Sequence, residues 1–195
     1  MVQYRLLYGD GRGLAEPARM LFNYAKVEFE DDRSTTLANI DQIRHELPFG
    51  QVPVLIIDNN VRIAQSKAIF RFLGRKFGLA GKDEVEEALV DSYGDFLADL
   101  ITNTTNEVSA EDAQSYIENK WENYLDKIVE ASGTGFVAKS GVTWVDFLMA
   151  NFYENSVKSG KDYIANIKNL KVIHDNVNNL PQLKEYFSNR KETQY

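Results

Sequence analysis

Residues 50–66, Gly50-Gln51-Val52-Pro53-Val54-Leu55-Ile56-Ile57-Asp58-Asn59-Asn60-Val61-Arg62-Ile63-Ala64-Gln65-Ser66, carry the clearest structural grammar in the chain. The apolar run to Ile57 is short and rich in β-branched residues, which predicts a buried strand over Gly50 to Ile57. Asp58-Asn59-Asn60 has turn chemistry and Val61 to Ala64 can form a short partner strand, so the segment reads as a hairpin. Ser66 then stands where a helix begins, with Ile69, Phe70, Leu73 and Phe77 at helical spacing and Gly78 to stop it. Pro53 cannot donate to a sheet ladder, which places it at a strand edge where the backbone has another use. A strand edge beside a helix start, with its free N–H groups, suits an extended, acidic, peptide-like ligand. Taken alone, Ser66 reads only as a cap.

Upstream, Val2, Tyr4 and Leu6 alternate and Leu7 and Tyr8 follow, which predicts a strand ending at a Gly9-Asp10-Gly11-Arg12-Gly13 turn. Leu14, Ala18, Leu21, Phe22 and Ala25 recur at helical spacing, with Pro17 in the first turn where its missing N–H does little harm. Val27 to Glu30 alternates as a second strand, and Asp31 to Leu47 is polar, a loop with a short helix over Ile40 to His45. Residues 1–77 are therefore β-α-β, a loop, then β-β-α. Residues 78–83 have the small, polar character of a linker, and everything beyond is helical in pattern. Val85, Leu89, Tyr93, Phe96, Leu97 and Leu100 mark one long helix; Ala113, Ile117, Trp121, Tyr124 and Ile128 mark another; Thr143-Trp144-Val145-Asp146 has the form of a capping box.

The 195 residues include 22 Lys and Arg against 29 Asp and Glu, a net charge of −7, without a basic cluster, which disfavours nucleic acid. There is no cysteine, so disulfides, thiolate metal ligands and a cysteine nucleophile are excluded, and any thiol chemistry must use a bound thiol. The two histidines lie far apart in sequence, and no metal site is expected. Gly9, Gly11 and Gly13 lack the spacing of a dinucleotide fingerprint. The start has no basic-then-apolar leader and the apolar runs fall far short of the roughly 20 residues of a membrane span, so a soluble, cytoplasmic protein is expected.

Four segments stand in order along the chain: Leu7-Tyr8-Gly9-Asp10-Gly11-Arg12-Gly13-Leu14-Ala15-Glu16-Pro17, Pro48-Phe49-Gly50-Gln51-Val52-Pro53-Val54-Leu55, Gln65-Ser66, and Val142-Thr143-Trp144-Val145-Asp146-Phe147. Together they resemble the glutathione transferases, and the sigma class among them. The resemblance implies an α/β thioredoxin-like glutathione-binding domain over 1–77, a linker over 78–83, and an all-helical domain over 84–195 that contributes the electrophile pocket and dimer contacts. It implies that Tyr8 is catalytic, its hydroxyl donating a hydrogen bond to the glutathione sulfur and so favouring thiolate over thiol. A free cysteine thiol titrates at about 8.5, and each unit of lowering is about 1.36 kcal/mol in favour of the anion. Pro53 would be a cis proline, with the Val52 backbone pairing to the cysteinyl part of glutathione. Gln65 and Ser66 would hold the γ-glutamyl end, with Gln51 a further side chain for the same ligand. Asp99 would reach glutathione bound to the neighbouring subunit of a homodimer.

The same likeness marks departures. Ile40 and Arg44 stand where sigma enzymes carry a tryptophan and a lysine at the glycyl end. Arg44 still suits a carboxylate, whereas Ile40 has no N–H to offer. Leu14 replaces an arginine and Gly9 a phenylalanine, which implies a roomier, less polar second-substrate pocket. The function expected is conjugation of the glutathione thiolate to small apolar electrophiles such as aryl halides or unsaturated carbonyls, of the detoxification type. The alternatives are glutathione-dependent prostaglandin isomerisation or peroxide reduction, and a non-catalytic ligand carrier or structural relative like the lens crystallins. Glutathione is the expected cosubstrate, without a metal.

Overall fold

The computed structural model describes residues 2–36, 38–105 and 109–193. The chain divides into two compact units, Met1–Phe77 together with Pro181–Tyr195, and Gly78–Leu180. The first holds a four-stranded sheet of β1 (Tyr4–Gly9), β2 (Glu30–Thr35), β3 (Val54–Ile57) and β4 (Val61–Ala64) in the order β2-β1-β3-β4. β1 and β2 run parallel, joined by α1 (Glu16–Ala25), while β1–β3 and β3–β4 are antiparallel. A short α2 (Ile40–Ile43) follows β2, and α3 (Ser66–Lys76) follows β4.

Alternation along β1 sorts its side chains onto two faces. Tyr4 meets Phe22 of α1, ring centroids 5.3 Å apart, and Phe22 also stacks on Phe29 at 4.4 Å and meets Phe77 edge-on at 5.5 Å. On the other face Leu7, Leu47, Val54, Ile56 and Ala64 form a cluster against which Ile40, Ile43 and Val52 pack.

Three local expectations are corrected. The second strand is Glu30–Thr35 and not Val27–Glu30. Its charged residues are neutralised in place: Asp32 pairs with Arg5 at 3.4 Å, and Asp31 with Arg19 at 2.9 Å and Arg33 at 2.7 Å. An edge strand accommodates such charges, so ion pairs stand in for the apolar alternation that the sequence pattern seeks. β3 begins only at Val54, leaving Gly50 to Pro53 beyond the ladder. Ser66 is the first helical residue of α3 and the N-cap is Gln65.

The second unit is helical: α4 (Glu84–Thr105), α5 (Ala110–Tyr116), a π-type turn (Ile117–Trp121), α6 (Glu122–Ser132), α7 (Trp144–Lys158), α8 (Asp162–Ala165) and α9 (Lys168–Asn178). The π-type turn interrupts the single helix expected across Ala113 to Ile128. Trp144, fully buried, lies against α4 at Gly94, where an added Cβ would stand 2.2 Å from the indole ring; only glycine permits that approach. Trp121 is also fully buried and donates its indole N–H to the Phe96 carbonyl at 3.3 Å.

The last helix, α10 (Lys184–Asn189), follows a 3₁₀ turn over Pro181–Leu183. This segment was expected within a helical domain spanning 84–195, but it groups with the first unit, because the turn packs on α1 and Tyr186 and Arg190 bond to Glu16.

Candidate functional site

Strand register assembles the site. Leu7 lies opposite Val54, and Val54 opposite Ala64. One residue further on each segment, Tyr8, Pro53 and Gln65 therefore come to the same end of the sheet. The Val52–Pro53 peptide is cis and Pro53 is buried. Gln65 turns the chain from β4 into α3 with φ +70°, and its Nε2 donates to the Gln51 Oε1 at 3.4 Å. Ser66 opens α3, an eleven-residue helix whose first N–H groups lack intrahelical partners. Six of the expected site residues, Tyr8, Gln51, Val52, Pro53, Gln65 and Ser66, thus lie together.

The Tyr8 oxygen accepts a hydrogen bond from the Leu14 backbone N–H at 3.2 Å. Gly13, at φ +39°, makes this possible, since a Cβ there would sit 2.4 Å from the phenol oxygen. A hydroxyl that accepts one bond keeps its own hydrogen for another acceptor and donates it more strongly. The sequence drew attention to the Leu14 side chain, half exposed at 51%; it is the Leu14 backbone that touches Tyr8.

Arg44 begins a 3₁₀ turn after α2. Its Nε and Nη2 donate to Asp41 Oδ1 at 3.1 and 2.7 Å, and its Nη1 donates to the Gly50 carbonyl at 2.9 Å, bringing the guanidinium to the loop that leads into Gln51. A guanidinium carries five N–H donors, so two remain for a ligand. Ile40 is half-buried against the Leu7–Leu47 cluster, and an aliphatic group there offers no hydrogen bond. Asp99 stands exposed on α4, in the second unit, with its charge felt by Tyr116, whose hydroxyl titration is raised by burial and then by Asp99.

A buried ionic assembly was not anticipated from the sequence. Arg19 and Glu16 are fully buried and face each other at 3.4 Å. Arg19 also donates to the carbonyls of Gly11 at 2.6 Å and Gly9 at 3.5 Å, and its guanidinium carbon lies 5.9 Å from the Tyr8 ring centroid. Glu16 accepts from Tyr186 at 2.8 Å and Arg190 at 3.1 Å. The i,i+3 spacing of Glu16 and Arg19 was the only local signal; partners some 170 positions away leave none.

Among the described residues no group of three or more His, Asp or Glu is placed to hold a metal, and no helix is long and apolar enough to cross a membrane.

A thioredoxin-like α/β unit followed by a helical one, with a tyrosine, a cis proline and a helix start converging at one sheet end, is the two-unit architecture of the transferases that the four sequence segments resemble. Residues 5–75 match the glutathione S-transferase N-terminal domain and residues 94–190 the C-terminal domain. The chain is 35% identical to glutathione S-transferase 1 of Ascaris suum over the whole of both chains. It is similar to the solved structure of a Nu-class enzyme from Haemonchus contortus, at 30% identity and TM-score 0.85, covering all of both chains. It is also similar to that of a prostaglandin synthase D from Nilaparvata lugens, at 30% identity and TM-score 0.81, covering 98% of this chain and all of the other. The chain belongs to the glutathione S-transferase family, whose reaction uses glutathione as cosubstrate.

Proposed function

We propose that the chain binds glutathione at the sheet end formed by Tyr8, Pro53 and Gln65 and transfers its thiolate to small apolar electrophiles. The Leu14 N–H to Tyr8 bond carries this reading, because it leaves the phenol hydrogen for the sulfur and strengthens it as a donor. The Val52 backbone, beyond the β3 ladder, pairs with the cysteinyl residue. Ser66 and the start of α3 take the γ-glutamyl carboxylate, as the positive end of a helix does, with Gln65 and Gln51 beside it. Arg44 takes the glycyl carboxylate with its remaining donors, and Ile40 packs below without binding it. The sulfur then attacks the electrophilic carbon, expelling halide from an aryl halide or leaving an enolate from an unsaturated carbonyl that takes up a proton. The protein contributes orientation and anion stabilisation, while the nucleophile belongs to glutathione.

Within the family the four sequence segments favour a sigma-type enzyme, and the likeness to the Nu-class structure supports a neighbouring branch. We further propose a cytoplasmic homodimer in which Asp99 of one subunit contacts glutathione on the other. A second reading, isomerisation of a prostaglandin by the same thiolate, is favoured by the likeness to the prostaglandin synthase.

The test is glutathione binding by calorimetry, with titration of the bound thiol, in wild type and Tyr8→Phe. Saturable binding with a thiol pKa at least one unit below 8.5 is expected, and Tyr8→Phe should lower conjugation at neutral pH at least tenfold while leaving the fold intact. Full activity in Tyr8→Phe removes Tyr8 as the activator, and failure to bind at millimolar glutathione removes the enzyme reading in favour of a carrier.

A further inference from the structure

Tyr8 and Leu14 are joined by the loop Gly9 to Gly13, so the distance between the phenol oxygen and the Leu14 N–H depends on how that loop is held. The loop is held by a charge. Arg19, fully buried, donates to the carbonyls of Gly9 and Gly11, lies beside the Tyr8 ring, and is anchored from below by Asp31 at 2.9 Å. Its other carboxylate partner, Glu16, is equally buried and shared: one oxygen faces Arg19, and the other accepts from Tyr186 and Arg190 of the C-terminal segment. The same segment reaches the loop twice more, through the Thr193 carbonyl on Arg12 at 3.5 Å and Lys191 on Asp10.

From this we propose that Arg19 is a positioning residue for Tyr8, and that Tyr186 and Arg190 act as a latch that keeps it there through Glu16. The proposal rests on the glutathione reading for its consequence but not for its geometry. A buried carboxylate stripped of two donors draws its remaining cation more strongly, because an uncompensated charge in the interior is costly. Arg19 then shifts toward Glu16 and away from the Gly9 and Gly11 carbonyls, and the loop loses its brace. The Leu14 N–H bond, at 3.2 Å near the long end of the range for N–H to oxygen, has little room to lengthen before it is lost. The latch therefore sets how well Tyr8 donates, without itself touching the ligand.

The experiment uses the full chain carrying Tyr186→Phe and Arg190→Gln together, with Tyr186→Phe alone as the milder variant if the pair fails to fold. Amide hydrogen exchange is expected to show the Leu14 N–H exchanging at least tenfold faster while the Val54–Ile57 amides stay as slow as in wild type. The thiol of bound glutathione should titrate half a unit or more higher, with less than a twofold change in its Kd. Adding Tyr8→Phe should abolish the difference in thiol titration, and Arg190→Lys, which keeps the charge, should restore most of the wild-type behaviour. An unchanged Leu14 exchange rate in a folded variant overturns the proposal. So does acceleration spread over the whole sheet, which marks a merely structural contact, or faster Leu14 exchange with an unmoved thiol. If wild type binds no glutathione, the glutathione reading fails, and the exchange data alone decide whether the latch braces the loop.

Discussion

Gln65 occupies a backbone conformation, φ +70°, that glycine adopts freely and other side chains resist by about 1–2 kcal/mol. A glycine there would ease the turn into α3, yet the position carries a glutamine whose amide reaches Gln51. Strain of this kind points to use of the side chain by a ligand. Gln65→Gly is expected to leave stability unchanged or raise it by up to about 1 kcal/mol in urea denaturation, while weakening glutathione at least fivefold in calorimetry. A loss of stability together with unchanged binding would show that the glutamine serves the fold alone. That Tyr8 and Gln65 share one sheet end was expected from the short segments that carry the family resemblance, whereas the Leu14 contact was not, since a backbone N–H leaves no mark on residue identity. Arg19 and Glu16 were missed for a related reason: charged residues on a helix are usually solvated, Arg19 is held partly by backbone carbonyls, and the partners of Glu16 include residues at the far end of the chain.

The start of α7 shows what an element gains from one buried carboxylate. Asp146 Oδ2 accepts from the Thr143 N–H at 2.7 Å and its hydroxyl at 2.8 Å, and Oδ1 accepts from the Val137 N–H at 3.0 Å. Burial nevertheless pushes its titration up, from an ordinary 3.8 to about 6, against those donors. Because the folded form holds its proton to a higher pH than the unfolded chain, this group's contribution to stability is greatest at low pH and falls as pH rises between about 4 and 6. Asp146→Asn, which presents an amide N–H₂ or a single acceptor to three donors, should destabilise the chain by about 2–3 kcal/mol at pH 7. Relative to that variant the wild type should gain roughly 1 kcal/mol more at pH 5. Denaturation at the two pH values checks both, and a gap that narrows on acidification would reverse the sign. The Thr143-to-Asp146 box and the β3–β4 hairpin were legible because their signals are local and span a few residues. β2 was not, since its stability comes from ion pairs to Arg5 and Arg19 in other elements, and neither was the π-type turn before α6, whose apolar spacing continues the helical pattern on either side.

At the scale of the whole molecule, the proposed homodimer predicts sedimentation at twice the chain mass of 22.2 kDa at micromolar concentration. Asp99→Asn should then raise the Kd for glutathione while leaving that mass unchanged. A monomer at that concentration, or an unchanged Kd in Asp99→Asn, would separate Asp99 from the site. The helical content of the second unit could be read from the spacing of apolar residues, but the allocation of Pro181–Tyr195 to the first unit could not, because periodicity reports that a helix has an inner face and not what covers it.

That allocation bears on the order in which the protein is made. A ribosome delivers residues 1–77 first, with the strands, α1 and α3 all present, yet Glu16 is then without Tyr186 and Arg190. More than a hundred residues of the other unit must emerge before those partners arrive. The unit synthesised first is thus completed only after the other unit has emerged, and the proposed brace on the loop beside Tyr8 can form no earlier than the synthesis of Arg190.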